Sequence, residues 1–327
     1  MGKDIFFPVA RDAEVSCGDD RWCFGYGDKV HVDDRFVAVG GCASNVAVGL
    51  ARLGIGARVI GEIGGDMEGQ WIVDTLAREG VDVASVRTVA DAKTDMSMIL
   101  VDEERGERII FVNRDVGERF VLTHNDVRDT AWCYVGSLYG DAIEKNMHVI
   151  HKMCRETDMK LIYNPGGHNI AHHHDVVADL VHHAHVVFMN KKEAQQVARY
   201  FYQEQKTVDS FSEVALVDVL LSHMADDAGI VAITDGKRGA WIGRADTRYH
   251  APTIKDDTVR DTTGAGDAFA SGFAGALFAG KPIEECARWG SANGNAVVHD
   301  YGAQKGLLTC DIMEKRIRTF YVDKIEQ

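Results

Sequence analysis

The chain has 327 residues, 46% of them hydrophobic, and 36 Lys and Arg stand against 50 Asp and Glu for a formal net charge of −14. That is enough apolar material for a large core, while the acidic balance excludes a nucleic acid or anionic membrane held by bulk electrostatics, since phosphate binding needs positive potential. No apolar run reaches the about 18–20 residues of a membrane span, and the opening Met1-Gly2-Lys3-Asp4-Ile5-Phe6-Phe7-Pro8 lacks the charged-then-apolar order of a signal peptide.

In chain order, Phe36-Val37-Ala38-Val39 reads as a short strand, and 95–112 as two strand-like runs around a charged turn ending in Gly106, the pattern of a β-hairpin. Between and after them come the apolar runs Val59-Ile60-Gly61-Glu62-Ile63, Trp132-Cys133-Tyr134-Val135, Leu161-Ile162-Tyr163, Val186-Val187-Phe188-Met189 and Ile230-Val231-Ala232-Ile233-Thr234. Each leads through Gly, Asn, Pro or Asp into a helix-compatible stretch. Buried strand, turn and helix in repetition predict an α/β fold, a mostly parallel sheet with helices on both faces. In such sheets ligands sit outside the carboxyl ends of the strands. The small β element at 36–39 and 95–112 breaks that rhythm and predicts a lid, with an edge hairpin of no function as the plain alternative.

Cys17, Cys23, Cys42, Cys133, Cys154, Cys286 and Cys310 are odd in number and scattered, which predicts free thiols in a reducing, cytoplasmic setting. Histidines crowd the stretch 168–185, and His182 and His185 are three apart, a spacing that puts two imidazoles on one helix face. Metal binding needs further ligands converging from elsewhere and none has a recognisable spacing, so a solvated helix is the expectation.

Two strings carry chemistry. In Asp261-Thr262-Thr263-Gly264-Ala265-Gly266-Asp267 the glycines precede a run of small and apolar residues, Ala268, Phe269, Gly272, Phe273 and Ala276, suited to a closely packed helix. A helix start presents unpaired N–H groups and a positive dipole to an anion, and glycine lets that anion approach the backbone. Asp267 there is either a helix cap or a general base beside an anion hole, the pairing that phosphoryl transfer needs. In Gly40-Gly41-Cys42-Ala43-Ser44-Asn45, a diglycine opens a second helix whose first turn presents Asn45, a residue able to bond sugar hydroxyls or to cap the helix. No Gly-x-Gly-x-x-Gly follows a first strand and no Walker lysine motif appears.

Together the two strings resemble the signatures of the ribokinase-like (pfkB) carbohydrate kinase family. Ile63-Gly64-Gly65-Asp66, Gly80-Val81-Asp82, Asn190-Lys191-Lys192-Glu193 and Thr234-Asp235-Gly236-Lys237-Arg238-Gly239 follow in the family's order. The resemblance implies a single ribokinase-like domain over 1–327, a three-layer sandwich with a lid from segments near 30–40 and 95–113. It implies ATP-dependent phosphorylation of a hydroxyl of a small sugar or sugar derivative, with a nucleoside kinase or a catalytically silent sugar-binding protein as alternatives, and a homodimer through the lid. Asp267 would be the base, with the Gly264, Ala265, Gly266 and Asp267 amides as anion hole. Gly41 and Asn45 would hold the substrate, and Arg114 would sit where some members place a carboxylate-binding Arg. Asn190, Glu193, Thr234, Gly236 and Gly239 would line the nucleotide, Glu193 organising Mg²⁺ through water. Asp261 and Thr263 match positions associated with a monovalent cation such as K⁺. Asp4 matches a substrate-binding acid that family members carry just after a first strand, so that strand is expected to be absent here. The stretch 11–32, with Cys17, Trp22, Cys23 and Tyr26, departs from the family as an insertion. Cys42 stands where ribokinases commonly have Lys.

Overall fold

A computed structural model describes residues 1–9, 22–32, 34–102, 108–202, 208–254 and 258–325. Residues 11–21 of the 11–32 insertion, with Cys17, and the 103–107 turn with Gly106 lie outside the described residues. Thirteen strands are described: β1 (Gly2–Val9), β2 (Phe36–Gly40), β3 (Arg58–Gly64), β4 (Asp82–Val89), β5 (Asp95–Asp102), β6 (Arg108–Asn113), β7 (Trp132–Val135), β8 (Lys160–Tyr163), β9 (Val186–Asn190), β10 (Ile230–Thr234), β11 (Ala240–Arg244), β12 (Thr247–Ala251) and β13 (Asp323–Ile325).

The largest sheet has the order β13-β12-β11-β10-β9-β8-β7, with β7 to β10 parallel and β10 to β13 an antiparallel meander. The parallel strands are continuous apolar runs because helices cover both faces, and two core clusters result. One gathers Leu161, Tyr163, Val187, Met189 and Ile233 with the helices Ile143–Glu156, His174–His183, Lys191–Tyr202 and Glu213–His223. The other gathers Ile162, Phe188, Ala232 and Ile242 with Ala265–Phe278 and Ile283–Val297, whose small residues allow close packing. In the first of these helices a Cβ on Gly272 would lie 2.5 Å from the Trp289 carbonyl oxygen of the second, so only glycine fits that crossing.

The predicted small β element is a separate four-stranded sheet, order β2-β1-β5-β6. Sequence reading found β2, β5 and β6 but not β1, which runs antiparallel to β2 and parallel to β5. The amino-terminal residues therefore build the small sheet, and they do not extend the main one.

Among the described residues, two parallel edges face each other across a gap. β3 pairs only with β4 in the hydrogen-bonded order, and β7 is the end of the large sheet. Between those two edges lies a groove of about 780 Å³, lined by Arg58, Val59 and Ile60 of β3 and by Trp132, Cys133 and Tyr134 of β7. Its floor includes Val46, Ala47 and Leu50 of the Cys42–Arg52 helix and Ala274 and Phe278 of the Ala265–Phe278 helix. Among the described residues, helices and no strand bridge the two sheets.

Two expectations fail. Cys23 is disulfide-bonded, a covalent partner that removes it from the free thiols; Cys42, Cys133, Cys154, Cys286 and Cys310 remain free. His182 and His185 do not share a helix face, because the helix ends at His183 and the chain turns at Ala184 into β9.

Candidate active site

Three strand-to-helix junctions and the small sheet converge on Asp267. Gly264 is the N-cap of Ala265–Phe278 with φ 77°, a left-handed conformation in which a Cβ would also overlap Ala303. That turn sets Asp267 in the helix's first turn with its carboxylate pointing back toward the Cys42–Arg52 helix. Asn45 donates from Nδ2 to Asp267 Oδ2 at 2.8 Å, and the Cys42 thiol also hydrogen-bonds the carboxylate. Burial pushes the Asp267 carboxyl up from its ordinary value, while those two donors pull it back. The adjacent negative charge and burial push the Cys42 thiol up to about 12.

Of the four amides expected to form the anion hole, that of Ala265 donates to the Thr262 carbonyl at 3.3 Å and closes a turn. Those of Gly266 and Asp267 have no backbone acceptor among the described residues. A Cβ on Gly266 would meet nothing within 4 Å, so space is open in front of them.

Asn45 differs from the expected sugar ligand. Its Oδ1 accepts from Gln304 Nε2 at 3.0 Å and its Nδ2 is engaged by Asp267, so it orients the acid and keeps one N–H to offer elsewhere. Gln304 is itself fixed through its carbonyl, which accepts from Arg52 Nη1 at 2.8 Å, while the same guanidinium makes a two-point contact with Glu79 at 2.8 Å. Gln304 was not legible as a partner of this site, because it carries no motif of its own, and Cys42, though inside the diglycine string, stood out only as a departure from the ribokinases' Lys.

Asn190 and Thr234 are neighbours across β9 and β10, both at the strands' carboxyl ends. Asn190 Oδ1 accepts from the Glu193 N–H at 3.0 Å and Glu193 Oε2 accepts from the Asn190 N–H at 2.8 Å, a reciprocal capping arrangement at the start of Lys191–Tyr202. The cap and the functional reading coexist, because only one Glu193 oxygen is used. Burial raises the Glu193 carboxyl, and the charge of Asp267 raises it further, so the two acids share one electrostatic neighbourhood. Neither has an ion-pair partner among the described residues. An uncompensated acid pair beside open amides fits a divalent cation and phosphates.

The loop after β10 turns through Gly236 (φ 50°) and Gly239 (φ 93°), and a Cβ on Gly239 would overlap the Ala251 carbonyl. Gly236 faces open space. Lys191 anchors the loop through Glu213 at 2.6 Å and Asp235 at 3.7 Å.

Asp261 is fully buried and its carboxylate accepts from Thr263 N–H at 2.9 Å, Thr263 Oγ1 at 2.7 Å and Gly302 N–H at 3.2 Å. These bonds build the glycine-rich loop. Arg108 of β6 reaches the same loop, donating from Nη1 to Thr262 Oγ1 at 2.7 Å, so the small sheet touches the anion-hole turn directly.

Asp4 lies on β1 opposite Ala38 and Ser97, bonded to the Ser97 side chain, and its carboxyl is raised by burial. Gly40 leaves it room, since a Cβ there would overlap the carboxylate. Gly41, with φ 106°, starts the Cys42–Arg52 helix beside Met1, whose amino group is buried, lowered in pKa by that burial and influenced by Asp95, Cys42, Asp4 and Arg114. Arg114 stacks on Tyr139 with its guanidinium carbon 3.7 Å from the ring centroid and has no carboxylate partner among the described residues. The Met1 amino group thus lies within electrostatic reach of Asp4, Cys42 and Arg114, and Cys42 in turn hydrogen-bonds Asp267.

A model of the pfkB family carbohydrate kinases matches residues 15–310. The nucleoside kinase of Methanocaldococcus jannaschii is 24% identical over 278 residues, covering 85% of each chain. Among solved structures, the nucleoside kinase of Burkholderia thailandensis in complex with inosine superposes with a TM-score of 0.76 at 21% identity, over 97% of this chain and 95% of that one. Arabidopsis thaliana ribokinase complexed with ribose and ATP gives 0.74 at 19% identity, over 97% and 96%.

Proposed function

Because this chain belongs to the pfkB family of carbohydrate kinases, we propose that Asp267 takes the proton from a substrate hydroxyl as that oxygen attacks the γ-phosphorus of ATP. The observation that carries this reading is the Asp267 carboxylate itself. It is buried, aimed by Asn45 and Cys42, and set one residue from two unpaired amides at a helix start. A raised carboxyl is a better proton acceptor for an alcohol than an exposed one.

The Gly266 and Asp267 amides hold the charge that develops on the transferring group. Thr234, Gly236 and Gly239 shape the nucleotide's loop, and Asn190 with Glu193 presents one free carboxylate oxygen toward the phosphates. Mg²⁺, when bound, neutralises phosphate charge beside that oxygen. Asp261 and Thr263 form the loop that a monovalent cation would support. Asp4 and Gly41 bind the acceptor's hydroxyls, and Arg114, unpaired and stacked, suits an acceptor bearing carboxylate or phosphate. The small sheet, tied to the loop by Arg108, acts as the lid.

A nucleoside acceptor is the second reading, favoured by the inosine complex of the Burkholderia relative. An ATP-consumption screen over pentoses, hexoses, acid sugars, sugar phosphates and nucleosides decides between them. In that screen Asp267→Asn should lose about 10²–10⁴-fold in turnover on the preferred acceptor. Unchanged turnover would refute the base, and silence on every acceptor would favour a binding protein without catalysis.

A further inference from the structure

The histidines of the His174–His183 helix lack a converging ligand in the sequence, and the fold supplies one from another element. His151, in the middle of Ile143–Glu156, packs against that helix with its ring centroid 4.4 Å from that of His183. Asp179, one turn before His183, lies between them. Its Oδ2 is 2.7 Å from His151 Nδ1 and its Oδ1 is 3.7 Å from His183 Nδ1. One donor atom from each of the three residues lies within 4.8 Å of the other two.

We propose that His151, Asp179 and His183 form a binding site for a single first-row divalent cation of the zinc type. Two imidazole nitrogens and a carboxylate oxygen are a donor set suited to such borderline ions, and three protein ligands leave a fourth tetrahedral position to water. Tetrahedral bonds of about 2.0–2.2 Å place donors roughly 3.3–3.6 Å apart, and the observed separations bracket that range. Small side-chain rotations therefore suffice.

The nitrogens turned to the Asp179 carboxylate at the quoted separations are the two Nδ1 atoms, and these would be the ligands, with His151 Nε2 left as the buried N–H. His183 is held by its own backbone, with Nδ1 2.9 Å from the Asp179 carbonyl oxygen. A cation at His183 Nδ1, the nitrogen 3.7 Å from the carboxylate, would replace that contact and leave the proton on Nε2.

The cluster sits near the carboxyl ends of two helices that lead into β8 and β9, so it lies toward the amino ends of those strands. Asp267 and Glu193 serve the opposite, carboxyl ends. The cation would clamp Ile143–Glu156 to His174–His183 without entering the phosphoryl transfer.

Metal-stripped protein titrated with Zn²⁺ in a calorimeter, and with Co²⁺ followed by its visible d–d bands, tests the site. The expected result is one ion per chain, a tetrahedral Co²⁺ spectrum and a higher melting temperature with Zn²⁺. His151→Gln and His183→Gln should each weaken binding by about tenfold or more and abolish the thermal shift, while His168→Gln with His172→Gln should change neither. Folding of each variant is checked by its circular dichroism and its melting temperature without metal. No binding to the parent protein, or binding lost with His168 and His172 instead, would overturn the assignment. So would stoichiometric binding left intact in both His151→Gln and His183→Gln.

Discussion

Asp267 works under an unfavourable condition, a carboxylate charge kept where burial opposes it. Because its folded pKa is raised, the favourable contribution to stability is present below its ordinary value of 3.8 and is lost as pH climbs through the folded value. Asp267→Asn should therefore raise the melting temperature at pH 7 relative to the parent, and the gap should close as pH falls below that ordinary value. Calorimetric scans of both proteins from acid to neutral pH check this. The same substitution removes the main cause holding the Cys42 thiol near 12, so alkylation of Cys42 at pH 9 should accelerate, as mass spectrometry of timed quenches would show. Asn45→Ala removes a donor that favours the ionised acid, and the acid limb of the rate profile should move to higher pH. Residue identity was legible at Asp267, Asn190, Glu193 and Thr234 because motif order carries it. The pairing of Asn45 with Gln304 was not, since a contact 259 residues apart is fixed by packing and leaves no local pattern.

At the scale of elements, the apolar runs read as parallel strands are strands, because burial on both faces demands unbroken apolar sequence. β11 and β12 escaped notice: Ala240–Arg244 and Thr247–Ala251 are largely buried, yet Gly243, Arg244, Thr247, Arg248 and His250 break the continuous apolar run by which the parallel strands were read. β1 escaped for another reason. Its residues could be placed by resemblance, but the sheet it joins depends on partners at 36–40 and 95–102. Gly264→Ala should test the turn that aims Asp267. A left-handed φ together with overlap on Ala303 should cost about 1–3 kcal/mol and lower turnover further, seen as an earlier denaturation midpoint and a smaller kcat. The unpaired edges of β3 and β7 support another test. An apolar strand of about six to eight residues, a common strand length, fused ahead of Met1 starts beside Gly61 of β3 and should raise the melting temperature by occupying the groove. Equal melting temperatures with and without the fused strand would show that the groove does not accept it.

On the scale of the whole molecule, the small sheet carries an apolar exterior that a lone chain leaves wet. Met98, Ile109, Ile110, Phe111 and Val112 are each between 38% and 50% exposed on adjoining strands, and Val37 is 44% exposed on β2. Val37, Met98, Ile109 and Phe111 alternate onto one face of that sheet, and a second copy of the chain laid across it, as the family resemblance suggests, would bury them while holding each Arg108 near its own loop. Phe111→Asp should shift sedimentation from a dimer toward a monomer and raise KM more than it lowers kcat; a monomeric parent would remove the premise. The acidic total, −14, keeps such an assembly soluble and leaves phosphate binding to local amides.

The groove between β3 and β7 has a dynamic consequence. Amides that a continuous sheet would bury at its centre stand at two facing edges, so hydrogen exchange should find a fast seam through the middle of the molecule. The seam's floor is the pair of helices that carry Asn45 and Asp267. Whatever fills it would be felt as slower exchange at those helix starts and as a narrower range of positions for the base.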